Sequence, residues 1–232
     1  MLPKRMLRSA APARDVALMA GMLFVDRKDA AEKLVDALLQ YKGSKPLILG
    51  IPRGAVPMAR VIADRLDGDV DVVLVRKLRA PGNPEYAIGS VDESGWSYIS
   101  PAAVAAGVDE SEIAAEKAVQ MQTITARRER YTAHRAPIDP HGRIVIVVDD
   151  GLATGSTMIA ALHALRAREP ERLVCAVPVA PPETLDRIRS SCDELVCLEV
   201  PEDFRSVGQF YQDFTQVTDE EVVELLKRQN SD

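Results

Sequence analysis

Residues 144–148 read Ile-Val-Ile-Val-Val, an unbroken run of β-branched apolar side chains that stops at two aspartates. A strand that shows no polar alternation has to be covered on both faces, as strands of a parallel sheet are. Small and hydroxyl residues follow it, then a helical stripe of Met158, Leu162 and Leu165. The same alternation recurs along the chain. Asp26 is placed to cap a helix reaching Tyr41, with Ala30, Leu34, Leu38 and Leu39 on one stripe and Gly43-Ser44 as its stop. Residues 47–51 form a short apolar run, and Val56, Ala59, Ile62, Ala63 and Leu66 make a second stripe. Residues 70–75 read as one buried strand ending in Arg76-Lys77, residues 173–179 as another, and residues 195–200 as a last one after a helix over 182–190. Strand, helix, strand in succession predicts an α/β fold: an open, mainly parallel twisted sheet flanked by helices, with its sites at the carboxyl ends of the strands.

The rest of the chain reads less regularly. Residues 79–85, Arg-Ala-Pro-Gly-Asn-Pro-Glu, are rich in turn formers and are expected to be a mobile loop. A hairpin is expected from 86–91 and 96–99 around Ser94-Gly95, and a long polar helix over 109–133. The basic cluster Arg127, Arg128 and Arg130 reads as a solvated face, with an anion or subunit contact as the alternative. Residues 1–21, basic and interrupted by charge, are expected to be a disordered extension, and 22–232 a single domain with a core over about 45–200.

Composition narrows the function classes. Lys and Arg total 29 against 35 Asp and Glu, a net charge of −6, which disfavours a broad nucleic-acid surface but leaves room for a local basic pocket. No apolar run nears the roughly 20 residues a membrane span needs. Cys175, Cys192 and Cys197 have no C-x-x-C spacing, so reduced thiols in a cytoplasmic protein are expected. The histidines, His134, His141 and His163, are scattered, and Ser156 lacks the G-x-S-x-G setting of an acyl-transfer nucleophile.

The chemistry sits after the 144–148 strand. Asp149 and Asp150 stand at its end; Thr154, Gly155, Ser156 and Thr157 then bring hydroxyls and backbone N–H groups to the start of a helix. Such a helix start favours a phosphate. Carboxylates beside it make sense for a ligand that carries both a phosphate and a diol, or a bound Mg²⁺. Two other acid-at-strand-end patterns fit poorly. A haloacid-type phosphatase wants acids two apart, where Gly151 stands, and a receiver domain wants a lysine after the next strand, where Val177-Pro178-Val179 offers none.

The segment from Val147 to Thr157, Val-Val-Asp-Asp-Gly-Leu-Ala-Thr-Gly-Ser-Thr, resembles the phosphoribosyl pyrophosphate (PRPP) signature of the type I phosphoribosyltransferases. Pro52-Arg53-Gly54 stands where that family has its pyrophosphate loop, and Arg76-Lys77 where it has basic groups near the pyrophosphate. Leu74-Val75-Arg76-Lys77, Gly82-Asn83-Pro84-Glu85 and Pro201-Glu202-Asp203-Phe204 resemble a less characterised bacterial branch. The resemblance implies a transferase that uses PRPP and Mg²⁺ to place phosphoribosyl on a nitrogenous acceptor, as a homodimer. It implies that Asp149 and Asp150 hold the ribose hydroxyls, with Mg²⁺ nearby through PRPP and water rather than as a direct protein ligand. It gives the 5′-phosphate to Ala153, Thr154, Gly155, Ser156 and Thr157, with Gly151 and Leu152 in the same PRPP-binding turn, and the pyrophosphate to Arg53, Gly54, Arg76 and Lys77, with a strained or cis peptide at Gly54. Gly151 replaces the usual aliphatic and is expected to loosen the turn. Ala153 stands where the hypoxanthine-guanine branch has an acid, so the motif looks more like the adenine branch. Loop 79–85 is the expected lid, with Glu85 as candidate general base beside Arg53 and Lys77 in the catalytic set. The hood over the acceptor is expected from the N-terminal helix and about 201–214, where Phe204, Phe210 and Tyr211 are candidates to stack on a planar acceptor or to pack in the core. The alternative on the same fold is a regulatory module that binds PRPP or a nucleotide without turnover.

Overall fold

The structure is a computed structural model that describes residues 23–105, 107–133 and 137–227. The expected extension over 1–21 and His134 lie outside the described residues.

Five parallel strands form the central sheet, in the order β2-β1-β6-β7-β8. They are β1 (Leu47–Gly50), β2 (Asp69–Val72), β6 (Ile144–Val148), β7 (Arg172–Val179) and β8 (Glu194–Glu199). The unbroken apolar runs are explained by the two faces. Ile48, Ile146, Val148, Val174 and Ala176 point into one core, against helices α1 (Arg27–Leu38) and α2 (Val56–Leu66). Leu47, Leu49, Val145, Val147, Leu173, Cys175 and Val177 point into the other, against α5 (Ser156–Arg166) and α6 (Pro182–Ile188). Successive side chains on a strand alternate faces, so double coverage requires every position to be apolar.

Local chemistry starts and stops the helices. The Asp26 side chain accepts from the backbone N–H of Asp29 at 2.8 Å and so caps α1. Pro57, in the first turn of α2, lacks only an N–H that the helix would leave unpaired.

Strands β3 (Val75–Ala80), β4 (Asn83–Asp92) and β5 (Ser97–Ile99) form a separate antiparallel sheet. Its core is shared with α4 (Glu110–Tyr131), the short α3 (Pro101–Ala105) and α7 (Asp219–Lys227). The 109–133 helix and the hairpin around Ser94-Gly95 are therefore present close to their expected places, while α3 and α7 have no counterpart in the sequence reading.

Two expectations are corrected here. Residues 70–75 are not one strand: β2 ends at Val72, and β3 begins at Val75 in the other sheet. The run stays apolar because Val73 is buried in one core and Leu74 in another. Arg76 and Lys77 thus belong to the antiparallel sheet rather than to the end of a parallel strand. Residues 79–85 are not a loop either. The turn is confined to Pro81-Gly82, with Gly82 at φ 71° and Ala80 paired with Asn83. A proline followed by a residue at positive φ suits a two-residue reversal. No described helix is long and apolar enough to cross a membrane.

Candidate functional site

The chain leaves β1 toward β2 on one side, whereas β6 connects to β7 on the other. Such a reversal opens a crevice at the carboxyl ends of the two adjacent strands. The turns after β1 and β6 meet there, around a cavity of about 420 Å³.

Asp149 and Asp150 follow β6 directly. The backbone N–H of Asp150 donates to Asp149 Oδ1 at 2.9 Å, which folds the first carboxylate back over the turn. Burial pushes the Asp149 carboxyl well above the ordinary carboxylate range and the Asp150 charge adds to it, against the pull of Lys77 and Arg27. Burial also raises Asp150, and Arg27 opposes the shift. The site therefore holds two acids with less positive charge than they need, a donor set suited to a divalent cation or to donor hydroxyls.

Gly151 has φ 153°, and a Cβ there would run 2.6 Å from Cγ1 of Val207 and 3.0 Å from Cγ1 of Val179. The glycine makes room for the 201–214 segment, so the turn is packed rather than loosened. Leu152 N–H donates to the Val179 carbonyl at 2.9 Å, and Thr184 Oγ1 donates to the Ala153 carbonyl at 2.6 Å. Both bonds fix the turn to the end of β7 and the start of α6. Ala153, Thr154, Gly155 and Thr157 line the cavity. Ser156 is buried beneath, 3.3 Å from Thr154 Oγ1, and its carbonyl accepts from Ser90 Oγ at 2.7 Å.

From the β1 turn come Arg53 and Gly54, and the Pro52–Arg53 peptide is cis. Gly54 approaches Asp150 so closely that a Cβ on it would overlap Oδ2. Lys77 reaches the same cavity from β3. Arg76 does not line it; it faces a second cavity behind β3. Glu85 belongs to β4, and its side chain lies outside the described residues.

A model of the phosphoribosyl transferase domain matches residues 23–215. The chain belongs to that family. The phosphoribosyl transferase domain is 45% identical to the protein TT1426 from Thermus thermophilus, whose crystal structure it matches with a TM-score of 0.75 over 88% of this chain and 98% of that one. It is 40% identical over 211 residues to a Mycobacterium tuberculosis H37Rv protein named "Putative phosphoribosyl transferase", a match covering 90% of this chain and 48% of that protein. The chain thus spans about half the length of the curated relatives it matches.

Sequence reasoning missed one charged residue of this candidate site and part of its wall. Arg27, at the first position of α1, lines the cavity, and Phe214, Gln216 and Val217 line it as well. The Arg27 guanidinium lies 3.9 Å above the Phe214 ring and donates to the Thr215 carbonyl at 2.7 Å. The signal for Arg27 was present in the Asp26 cap, which fixes where the helix begins. The aromatic at the cavity is Phe214, not the trio singled out by composition. Phe210 and Tyr211 are buried in the core, and Phe204 packs against it at 5.4 Å from Phe210. Tyr211 still supports the site, since its hydroxyl donates to the Asp150 carbonyl at 2.7 Å.

The basic cluster on α4 is only partly a solvated face. Arg128 pairs with Glu93 and lies 3.7 Å from buried Asp71, and Arg130 pairs with Asp219 and Glu220.

Proposed function

We propose that this domain transfers phosphoribosyl from PRPP to a nitrogenous, purine- or pyrimidine-like acceptor, with release of pyrophosphate and Mg²⁺ as cofactor. The observation that carries the reading is one cavity bordered by the Asp149–Thr157 turn, by Arg53-Gly54 and by Lys77. The turn offers acceptors for a sugar diol and donors for a phosphate, and the other two borders offer donors for a pyrophosphate.

In this reading Asp149 and Asp150 accept from the ribose hydroxyls. Thr154 to Thr157 present N–H and hydroxyl groups at the start of α5 to the 5′-phosphate, where the helix dipole favours negative charge. Arg53, the Gly54 backbone and Lys77 stabilise the charge that builds on the departing pyrophosphate, with Arg76 contributing from behind the strand. Mg²⁺ fits beside Asp149 and Asp150 because those carboxylates are short of positive charge; when bound, it neutralises the pyrophosphate. The acceptor nitrogen attacks C1 from the opposite face as the C1–O bond breaks, with inversion. Glu85 is the proposed base for the acceptor proton. Val207, Phe214, Gln216 and Val217, with α1, supply the hood that keeps water from the ring. A homodimer and a cytoplasmic setting complete the reading and rest on the family resemblance.

The test is PRPP-dependent pyrophosphate release with Mg²⁺ across purines, pyrimidines and small amines. Turnover with one class names the acceptor. Tight PRPP binding with no release across the whole panel would replace the transferase by a ligand-sensing module.

A further inference from the structure

Lys77 and the acid turn meet at one cavity but belong to different hydrogen-bonded sheets. The order β3-β4-β5 puts β3 at an edge, with β4 beside it. The position of Lys77 over the turn is therefore set through β4, by whatever holds β4 against α5.

The register identifies that contact. Lys77 stands directly opposite Ser90, and Val75 opposite Asp92. Opposed residues of an antiparallel pair put their side chains on one face, with Cβ atoms roughly 4.5–5.5 Å apart. On this face Ser90 Oγ donates to the Ser156 carbonyl at 2.7 Å, and Val75 packs in the core that α5 covers. Ser90 and Asp92 are both fully buried. Asp92 Oδ1 accepts from the N–H groups of Ser94 and Trp96, and its Oδ2 lies 3.9 Å from His163 Nδ1. Trp96 stacks on the same imidazole at 3.5 Å. His163 thus holds the hairpin end of the small sheet, about two turns along α5. Ser90 holds the end that carries Lys77.

The two sides of the Ser90 bond do not depend on it equally. The acid turn is anchored elsewhere, by Leu152 N–H on the Val179 carbonyl, Thr184 Oγ1 on the Ala153 carbonyl and the Tyr211 hydroxyl on the Asp150 carbonyl. Ser156 is the first residue of α5, and the helical ladder also reaches its carbonyl. The strand pair has less support. Its register shifts between Leu78 and Arg79, just past Lys77, and such an irregularity locally disrupts the ladder.

We infer that Ser90 is a positioning residue, whose hydroxyl docks the β3–β4 pair on the start of α5 so that Lys77 and the Asp149–Thr157 turn meet one ligand together. The inference rests on the transferase reading, in which Lys77 meets the pyrophosphate. Ser90 acts through Lys77 and not on the ligand, since it is fully buried.

Calorimetry of the full chain with PRPP and Mg²⁺, and separately with ribose 5-phosphate, tests it without an acceptor. The wild type is expected to bind both. Ser90→Ala is expected to bind PRPP at least about fivefold more weakly and ribose 5-phosphate as the wild type does, because that ligand brings no pyrophosphate to Lys77. In a Lys77→Met background, Ser90→Ala should weaken PRPP binding no further. A serine with a structural part alone would weaken both ligands, or cost the same factor with and without Lys77; either result overturns the inference. PRPP binding unchanged in Ser90→Ala overturns it and leaves the transferase reading standing. Failure of the wild type to bind PRPP overturns that reading and this inference with it. Should Ser90→Ala fail to fold, Ser90→Cys, similar in shape and a weaker donor, carries the same expectations.

Discussion

Arg27 Nη2 lies 2.8 Å from Oδ2 of Asp150, and its Nε lies 2.9 Å from the same oxygen. The pair joins the first turn of α1 to the turn after β6 and is mostly shielded, with side-chain exposures of 13% and 16%. The same guanidinium stacks on Phe214 and holds the Thr215 carbonyl, so one side chain ties together three segments far apart in sequence. Removing one partner of a shielded pair strands the other charge. Arg27→Ala is expected to destabilise the fold by about 2–4 kcal/mol, measured by urea unfolding at neutral pH. Arg27→Lys should recover part of it, since an ammonium keeps the charge but loses the fork.

Asp149 is held uncomfortably, because burial and its neighbour's charge both favour the neutral acid. Above the ordinary value of 3.8 and below the raised folded value, the native protein keeps a proton that the unfolded chain has lost. Stability from this group is present at low pH and is lost as pH rises through the folded value. Asp149→Asn removes the charge while keeping the carbonyl that accepts from the Asp150 N–H. At neutral pH the variant is expected to be more stable than the wild type by about 1 kcal/mol or more, and the advantage should shrink toward pH 4. PRPP binding should be lost in the same variant. Thermal melts across pH, set beside calorimetry with PRPP and Mg²⁺, read both effects.

Gly151 and Val207 compete for one space, so Gly151→Ala should destabilise by about 1–3 kcal/mol through overpacking and an unfavourable φ. In the double variant with Val207→Ala, the packing part should be recovered and the backbone part should remain. A double-mutant cycle on unfolding free energies separates the two, and full additivity would refute the shared space.

Tyr211 donates to the Asp150 carbonyl from a buried position, and burial raises its phenol well above the usual range. Tyr211→Phe leaves that carbonyl without its donor, for an expected loss of about 1–2 kcal/mol. Because the carbonyl belongs to the acid turn, affinity for PRPP should fall as well. Unchanged affinity alongside reduced stability would confine the hydroxyl to a structural part.

The parallel sheet is legible in the residues alone, since runs such as 144–148 have no polar position and can only be strands covered twice. So is the acid turn as a motif, since its two aspartates, small residues and hydroxyls are contiguous at a strand-to-helix junction, although its anchors at Val179, Thr184 and Tyr211 are not. Helix α1 is readable down to its capping residue for the same reason. Other features come only from the folded chain, because local pattern cannot encode them. Val73 and Leu74 look like the middle of a strand, yet they carry the chain from one core to another, and both cores reward the same apolar side chains. Pro81-Gly82 signals a turn, but only cross-strand pairing shows that the turn spans two residues and that Arg79 is in a strand. The Arg27–Asp150 contact spans 123 residues of sequence, and no spacing rule links positions that the sheet order brings together. Gly151 looks permissive because its missing side chain says nothing about the valine that fills the space. Packing assigns such vacancies, and it does so only once the whole chain has folded.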